Sequence, residues 1–380
     1  MKFIHLLLCS VFTFFVLYGP QPILPLLAKS YQLTSAKAGL LMTVTMLPLA
    51  IAPLVYGYLL LRVNSLSLLK VALLLLAISS ALLPLAQSFQ QLLVIRFLQG
   101  LLLPAALTAM TSYIGEHYRY SYLSKAVTSY ILSTIAGGFL GRVVSASISE
   151  YTHWQLYFYL LAIVLLLLSL SLAKAKVRDY VGQRKEPASL KENIHKVAKG
   201  GTLYVYSAVF GMFFCFTALL NYLPFILQND YHFTSSKDIG LVYSGYLIGA
   251  CFSLLSTRLQ HLAKGKINLL VITFAIYALS ISSLFSVQFT LFFIGFTVFC
   301  AAMFVIHASA SALLNQVSRA PSSLTNGIYV SFYYCGGTLG SFLPGLIYQH
   351  FGKNAFLLTL LLVCIISGLL VTQFKRLQVN

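Results

Sequence analysis

Carboxylates are almost missing from this chain. Its 380 residues include seven Asp and Glu against 25 Lys and Arg, and charged residues of both signs make up only 8%. A soluble domain carries about 25% charged residues. A chain this poor in charge cannot cover a water-facing surface, so a soluble globular fold is excluded and lipid is its solvent. The charge that remains does not mark nucleic acid as a partner. The net +18 is spread through short gaps between apolar runs rather than gathered in a patch or arm. Cysteine is scarce as well. None of Cys9, Cys215, Cys251, Cys300, Cys335 and Cys364 stands at a metal-ligand spacing or in an evident outer loop. They read as small core residues, with no metal site and no disulfide framework. A Ser-His-Asp set, a metal-ligand cluster and a phosphate loop are all missing, so neither an enzyme nor a cofactor is expected. The opening run MKFIHLLLCSVFTFF lacks a small-residue cleavage site and continues through PQPILPLL, which reads as a retained first helix rather than a signal peptide.

What the chain has in quantity is apolar length. Hydrophobic residues make up 59%, and the mean hydropathy is +0.87. A membrane-crossing helix needs about 20 mostly apolar residues. Twelve such spans are predicted, near 4–28, 35–60, 66–86, 89–114, 122–147, 154–173, 203–228, 237–258, 266–287, 289–315, 323–349 and 353–374. With the N-terminus in the cytosol, Lys29, Lys37, Lys237 and Lys353 are the basic residues left outside. Arg96 and Arg142 fall within helices, and every other Lys and Arg lies inside. That asymmetry predicts cytosolic termini in a multi-pass protein of the plasma membrane, the inner membrane of a bacterium. The one long polar stretch, residues 174–201, divides the chain into a six-helix bundle at 1–173 and another at 202–380. It reads as a basic cytosolic linker lying near lipid headgroups.

The two halves repeat. PILPLL at 22–27 pairs with YLPFIL at 222–227, LTSAK at 33–37 with FTSSK at 233–237, VIRF at 94–97 with FIGF at 293–296, and GGFLG at 137–141 with GGTLG at 336–340. One offset of 199 or 200 residues relates all four pairs, which indicates an internal duplication. The expected fold is therefore an all-α membrane protein of twelve transmembrane helices in two six-helix, pseudo-symmetric bundles. In such parallel-repeat carriers the substrate site lies between the repeats.

The duplication separates what the fold needs from what it does not. Gly137 and Gly141 share a helix face, with Gly138 beside them, and Gly336, Gly337 and Gly340 repeat the arrangement. Small residues four apart let helix backbones approach closely in lipid. Arg142 has Ser341 as its twin, and Arg96 has Gly295, so the repeat itself does not require a charge at either place. An intramembrane arginine costs about 2.5–3.5 kcal/mol on insertion scales, so each needs a reason. Helical rise puts Arg96 roughly 10 Å and Arg142 roughly 8 Å from the outer ends of their helices, a similar depth. They are expected either to face one outward cavity or to bond helix carbonyls and the interface. No Asp or Glu lies deep in a helix. His307 is the one histidine that does, as a packing residue or a proton site. Tyr18, Gln21, Gln99, Asn221, Tyr222, Tyr243, Tyr246, Tyr329, Tyr333 and Tyr334 complete the polar candidates, a set suited to an aromatic cavity for an amphipathic ligand.

These residues resemble the major facilitator superfamily over essentially the whole chain. RFLQG at 96–100 is similar to its helix-4 motif, whose arginine is associated with proton coupling. STIAGGFLGR at 133–142 is similar to the helix-5 glycine motif of antiporters. YVSFYYCGGTLGS at 329–341 resembles helix 11 of bacterial drug and sugar efflux permeases. The loop between the second and third helices departs from the family pattern. GYLLLRVNS at 57–65 keeps Gly57, Leu59 and Arg62, but has Leu61 where the family has a gate-latching aspartate. The resemblance implies a monomeric secondary transporter of a small organic solute, an antiporter coupling efflux to protons. An importer or exporter of an anionic metabolite such as a carboxylate siderophore, and a transporter-like sensor, are the alternatives.

Overall fold

The structure is a computed structural model, and it describes residues 3–60, 62–173, 201–318 and 320–379. The expected linker, apart from Gly201, lies outside the described residues, as does Leu61. All regular elements among the described residues are helical, as lipid demands of a chain that must satisfy its backbone within each segment. In the first half they are α1 (Phe3–Tyr18), α2 (Leu24–Ser30), α3 (Ser35–Leu49), α4 (Ala52–Leu59), α5 (Ser65–Leu82), α6 (Phe89–His117), α7 (Tyr120–Tyr151) and α8 (Trp154–Ala173). The second half has α9 (Thr202–Tyr231), α10 (Ser236–Val242), α11 (Ser244–Phe252), α12 (Ser256–Leu262), α13 (Lys266–Leu284), α14 (Phe289–Val317) and α15 (Ser322–Val379).

Nine helices among the described residues are long and apolar enough to cross a membrane. The last of them is two spans, because Gly352 has φ 74° and ψ −173° and breaks α15. Two shorter apolar helices, α1 and α3, resume after their breaks as α2 and α4. The result is the twelve-helix bundle that the hydropathy predicts. Outward faces carry bare hydrocarbon: Leu167 and Leu362 are each 60% exposed, as a lipid-facing surface allows. Four cysteines are buried as expected. Cys251 and Cys335 are not; they stand exposed on their helices, because each falls on a face that no neighbouring helix covers.

By backbone packing the chain divides into two compact units. One comprises Met1–Leu33, Leu40–Lys185 and Phe233–Tyr243, and the other Thr34–Gly39, Glu186–His232 and Ser244–Asn380. The units thus follow the sequence halves except for one short exchange each way. In the first unit the exchanged α10 packs on α7: the Ser236 N–H donates to the Glu150 carboxylate at 2.6 Å, and the Lys237 ammonium to the Tyr151 hydroxyl at 2.9 Å.

The glycine seams have the geometry that the repeat predicts. On α7, Gly137 lies against Val11 of α1 and Gly141 against Phe15. A Cβ at these positions would sit 2.7 Å from the Val11 carbonyl oxygen and 3.0 Å from the Phe15 Cα. On α15, Gly336 lies against Phe210 of α9 and Gly340 against Phe214, each closer to backbone than any Cβ permits. Gly337 faces the Phe213 ring, where a Cβ would come within 2.6 Å. The same two-helix seam therefore recurs at the repeat spacing, in each unit separately.

Candidate functional site

The site in the first unit grows from a break in the first helix. Backbone N–H groups of an α-helix donate to the carbonyl four residues back. Pro20 has no N–H, so the Val16 carbonyl loses its ladder partner. The Gln21 N–H turns instead to the Tyr18 carbonyl at 3.0 Å, which leaves the Leu17 carbonyl without its own. A buried carbonyl in hydrocarbon needs a donor. Arg96, reaching across from α6, supplies it. Its Nη1 donates to the Val16 oxygen at 2.8 Å and its Nη2 to the Leu17 oxygen at 3.2 Å.

The remaining donors of Arg96 are engaged too. Nη1 also donates to the Gln99 Oε1 at 2.7 Å, Nε donates to the Leu41 oxygen of α3 at 3.4 Å, and Nη2 meets the Met42 Sδ at 4.0 Å. A guanidinium has five N–H donors, and all five find protein acceptors. Gln99 is fixed in turn by its amide donating to the Ser80 hydroxyl at 3.4 Å. Arg96 is 1% exposed and ties α6 to α1 and α3. Of the two arrangements expected for it, the structure has the helix-carbonyl one, and in this conformation it presents no donor to a ligand.

Arg142 approaches the same break from the other side. Its Nε donates to the Gln21 Oε1 at 2.6 Å, and its Nη1 to the Gly138 oxygen at 2.6 Å. The guanidinium carbon lies 4.3 Å from the centre of the Tyr18 ring and 5.0 Å from that of Tyr243. Two electron-rich faces and an amide oxygen hold the charge away from water, and the residue is fully buried. Both arginines thus reach residues 16–21. Their twins explain the asymmetry. At the matching place α9 has Leu219 and Leu220 in place of Pro20, so the carbonyls of Cys215 and Phe216 four residues back keep N–H donors; the proline of this helix, Pro224, comes later, and the helix still runs from Thr202 to Tyr231. Gly295 stands where Arg96 does, pressed against Ser280 and Ser283 of α13. Ser341, twin of Arg142, keeps the one bond both can make: its hydroxyl donates to the Gly337 oxygen at 2.7 Å, four residues back.

The second unit carries a different constellation, built from aromatic rings. Tyr333 of α15 stacks on Phe213 of α9 with centroids 3.4 Å apart, and Tyr334 stands edge-on to Tyr333 at 5.2 Å. His307 of α14 lies 5.0 Å from the Tyr333 ring, and its Nδ1 is 2.7 Å from the Tyr329 hydroxyl. Tyr246 joins through Phe216 and Phe304, at 6.2 and 5.2 Å. His307, Tyr333 and Tyr334 are each half-buried, so this wall keeps accessible surface inside the membrane-spanning region. Tyr222 is apart from it: fully buried, its hydroxyl donates to the Ser341 oxygen at 3.2 Å and its ring packs on Tyr348 and Phe356. Asn221, twin of Gln21, is also fully buried.

Gly57 lies in α4, and Arg62 follows in an exposed turn. The departed loop motif has its own chemistry: the Asn64 side chain caps α5 by accepting the Leu66 N–H at 2.9 Å, and the Ser65 hydroxyl donates to Glu116 at 2.7 Å. Phe213, Ser80 and Tyr157 escaped the sequence reading. The Tyr157 hydroxyl donates to the Phe15 oxygen at 3.0 Å, beside Gly19, which leaves room for it. Pro20 was the available signal, since a missing N–H in a buried helix announces a carbonyl in need of a donor.

The profile of the Major Facilitator Superfamily matches residues 6–319. Relatives include the inner membrane transport protein YnfM of Escherichia coli, 26% identical over 94% of this chain and 87% of its own length. An uncharacterized transporter of Buchnera aphidicola is 26% identical over 96% and 92%. Among solved structures, a bacterial homolog to the human lysosomal transporter Spinster, inward-facing and unoccupied, superposes with a TM-score of 0.81 over 99% of this chain and 96% of its own, at 14% identity. The nucleoside transporter NupG gives 0.77 over 99% of each chain at 13% identity. At such identities these two likenesses establish the fold alone.

Proposed function

Because the chain belongs to the major facilitator superfamily, and so is a multi-pass membrane transporter with a small-molecule substrate, we propose that it exports a small organic solute by alternating access, driven by inward proton flow. The observation that carries this reading is the half-buried wall of His307, Tyr333 and Tyr334 on α14 and α15. Aromatic faces with hydroxyl and imidazole tips suit an amphipathic cargo, and they ask for no fixed charge on it. The Lys and Arg asymmetry supports cytosolic termini, and bacterial relatives support the inner membrane. A second reading, an anionic cargo such as a carboxylate, is favoured by Arg142. Its guanidinium is held in place by two rings and Gln21 within the span, and its planar fork matches a carboxylate. The sensor reading rests on the departed loop motif at 57–65 alone.

Proteoliposomes with an imposed pH gradient test the proposal. Amphipathic organic cations and neutral compounds should accumulate against their gradient only when the pH difference is present, and Tyr333→Ala should lose most of that accumulation. Transport that ignores the pH gradient would refute proton coupling. Transport of carboxylates alone, abolished by Arg142→Ala, would select the second reading.

A further inference from the structure

On the second unit, where α11 gives way to α12, the chain opens a groove. Gly249 of α11 is pressed so hard against α14 that a Cβ would lie 2.7 Å from the Ala301 nitrogen. Immediately afterwards the helix tightens to a 3-10 turn at Ser253–Leu255, and α12 follows. The wedge left between α12, α13 and α14 has a volume of about 490 Å³. Leu259 and Leu262 line one side, Ile272 and Ile276 another, and Val298 and Ala301 the third. The hydroxyls in its wall are already engaged: Thr273 donates to the Leu269 oxygen at 2.7 Å and Thr297 to the Phe293 oxygen at 2.9 Å. The groove therefore offers hydrocarbon and nothing else. From Thr297 to Val305 it runs about 12 Å along α14, close to the roughly 15 Å hydrocarbon depth of one leaflet.

Basic residues adjoin the groove's lining along the chain, Arg258 next to Leu259 and Lys264 next to Ala263. Arg258 and Lys264 are exposed, and half-buried Lys266 donates to the Gln316 amide oxygen at 2.9 Å. Lys264 and Gly265 turn the chain from α12 into α13 through positive φ values of 56° and 133°, so Lys264 and Lys266 flank that turn and Arg258 precedes it on α12. No carboxylate follows Asp238 in the sequence, while seven Lys and Arg do. The chain from 239 onward thus supplies no counter-charge of its own. We propose that this groove is a binding site for an anionic phospholipid, with an acyl chain against α13 and α14 and the phosphate on Arg258, Lys264 and Lys266. The apolar length, the leaflet-scale depth and the uncompensated bases adjoining the lining match the two parts of that molecule.

The test uses the purified full-length protein in neutral detergent, with native mass spectrometry after addition of phosphatidylglycerol or phosphatidylcholine. A basic residue near an anionic surface contributes roughly fivefold in affinity. Wild type should retain one phosphatidylglycerol more tightly than phosphatidylcholine. Arg258→Gln/Lys264→Gln should lower that preference about 25-fold. Ala301→Phe, which fills the groove, should lower retention of both lipids, while all variants keep the wild-type melting temperature in lipid-free detergent. A preference unchanged by the charge variant overturns the proposal. So does full phosphatidylglycerol retention by Ala301→Phe, since the groove would then have no part. Displacement of the lipid by inorganic phosphate would reduce the site to free-anion binding. A second copy of the chain, held at the groove and lost in Ala301→Phe, would make it an oligomer contact instead. Either result also overturns the proposal.

Discussion

If Arg96 exists to serve carbonyls orphaned by Pro20, removing the arginine and healing the helix should each do harm alone and little together. In Arg96→Met, the Val16 and Leu17 oxygens lose donors at 2.8 and 3.2 Å. A buried polar group left unsatisfied costs about 1–3 kcal/mol. Two such groups, with partial relaxation of the break, put the loss at about 2–4 kcal/mol. In Pro20→Leu/Pro22→Ala, residues 20 and 22 regain N–H groups and the first helix gains a ladder like that of α9. The carbonyls are then satisfied, but each Nη group of the buried guanidinium loses its carbonyl acceptor and keeps only Gln99 or Met42, at a similar cost. The triple variant has neither orphan. Apart from the Gln99 Oε1, which loses its Arg96 donor in Arg96→Met and in the triple variant alike and so cancels, its stability should lie within about 1 kcal/mol of wild type, a coupling of at least about 3 kcal/mol. The assay is reversible SDS-induced unfolding in mixed micelles, followed by helical circular dichroism. Non-contacting sites add within about 0.5 kcal/mol. Additivity at that level would refute the argument, because it would show that the arginine and the break do not answer each other.

Three further outcomes follow from the same geometry. Gly340→Ala should destabilise more than Gly141→Ala, by at least about 1 kcal/mol in the same micelle assay. Its Cβ would run into the Phe214 backbone, whereas at Gly141 the nearest atom is 3.0 Å away and the two helices have room to yield. Tyr18→Leu should cost about 0.5–2 kcal/mol and should cost nothing extra in an Arg142→Met background, since the ring contact at 4.3 Å then has no cation to hold. Asn64→Ala should cost about 1 kcal/mol by uncapping α5, while Arg62→Ala, exposed in its turn, should leave the unfolding midpoint within error.

The fold was legible because lipid leaves few choices. Long apolar runs must be helices, and the sequence halves show their kinship at one spacing, so the seams of Gly137 with Gly141 and Gly336 with Gly340 could be placed before any coordinates. The exchange of Thr34–Gly39 and Phe233–Tyr243 between the packing units could not. It depends on which neighbour a short helix meets, and no local pattern records that. The arginines were half legible. Comparison with Ser341 and Gly295 marked them as exceptions to the repeat, but hydropathy has no way of telling a charge facing a cavity from one facing carbonyls. The distinction was nonetheless written four residues from its cause. Proline at 20 deletes one N–H and frees the Val16 oxygen, while the twin leucines at 219 and 220 delete none. The asymmetry in charge follows from an asymmetry in the backbone. Where α1 breaks, two guanidiniums bracket the gap, Arg96 on its carbonyls and Arg142 on Gln21 and Tyr18. Where α9 does not, a glycine and a serine suffice. The guanidiniums and the break they hold together are one structural unit, in which the donors of Arg96 and Arg142 are fixed by residues 16–21.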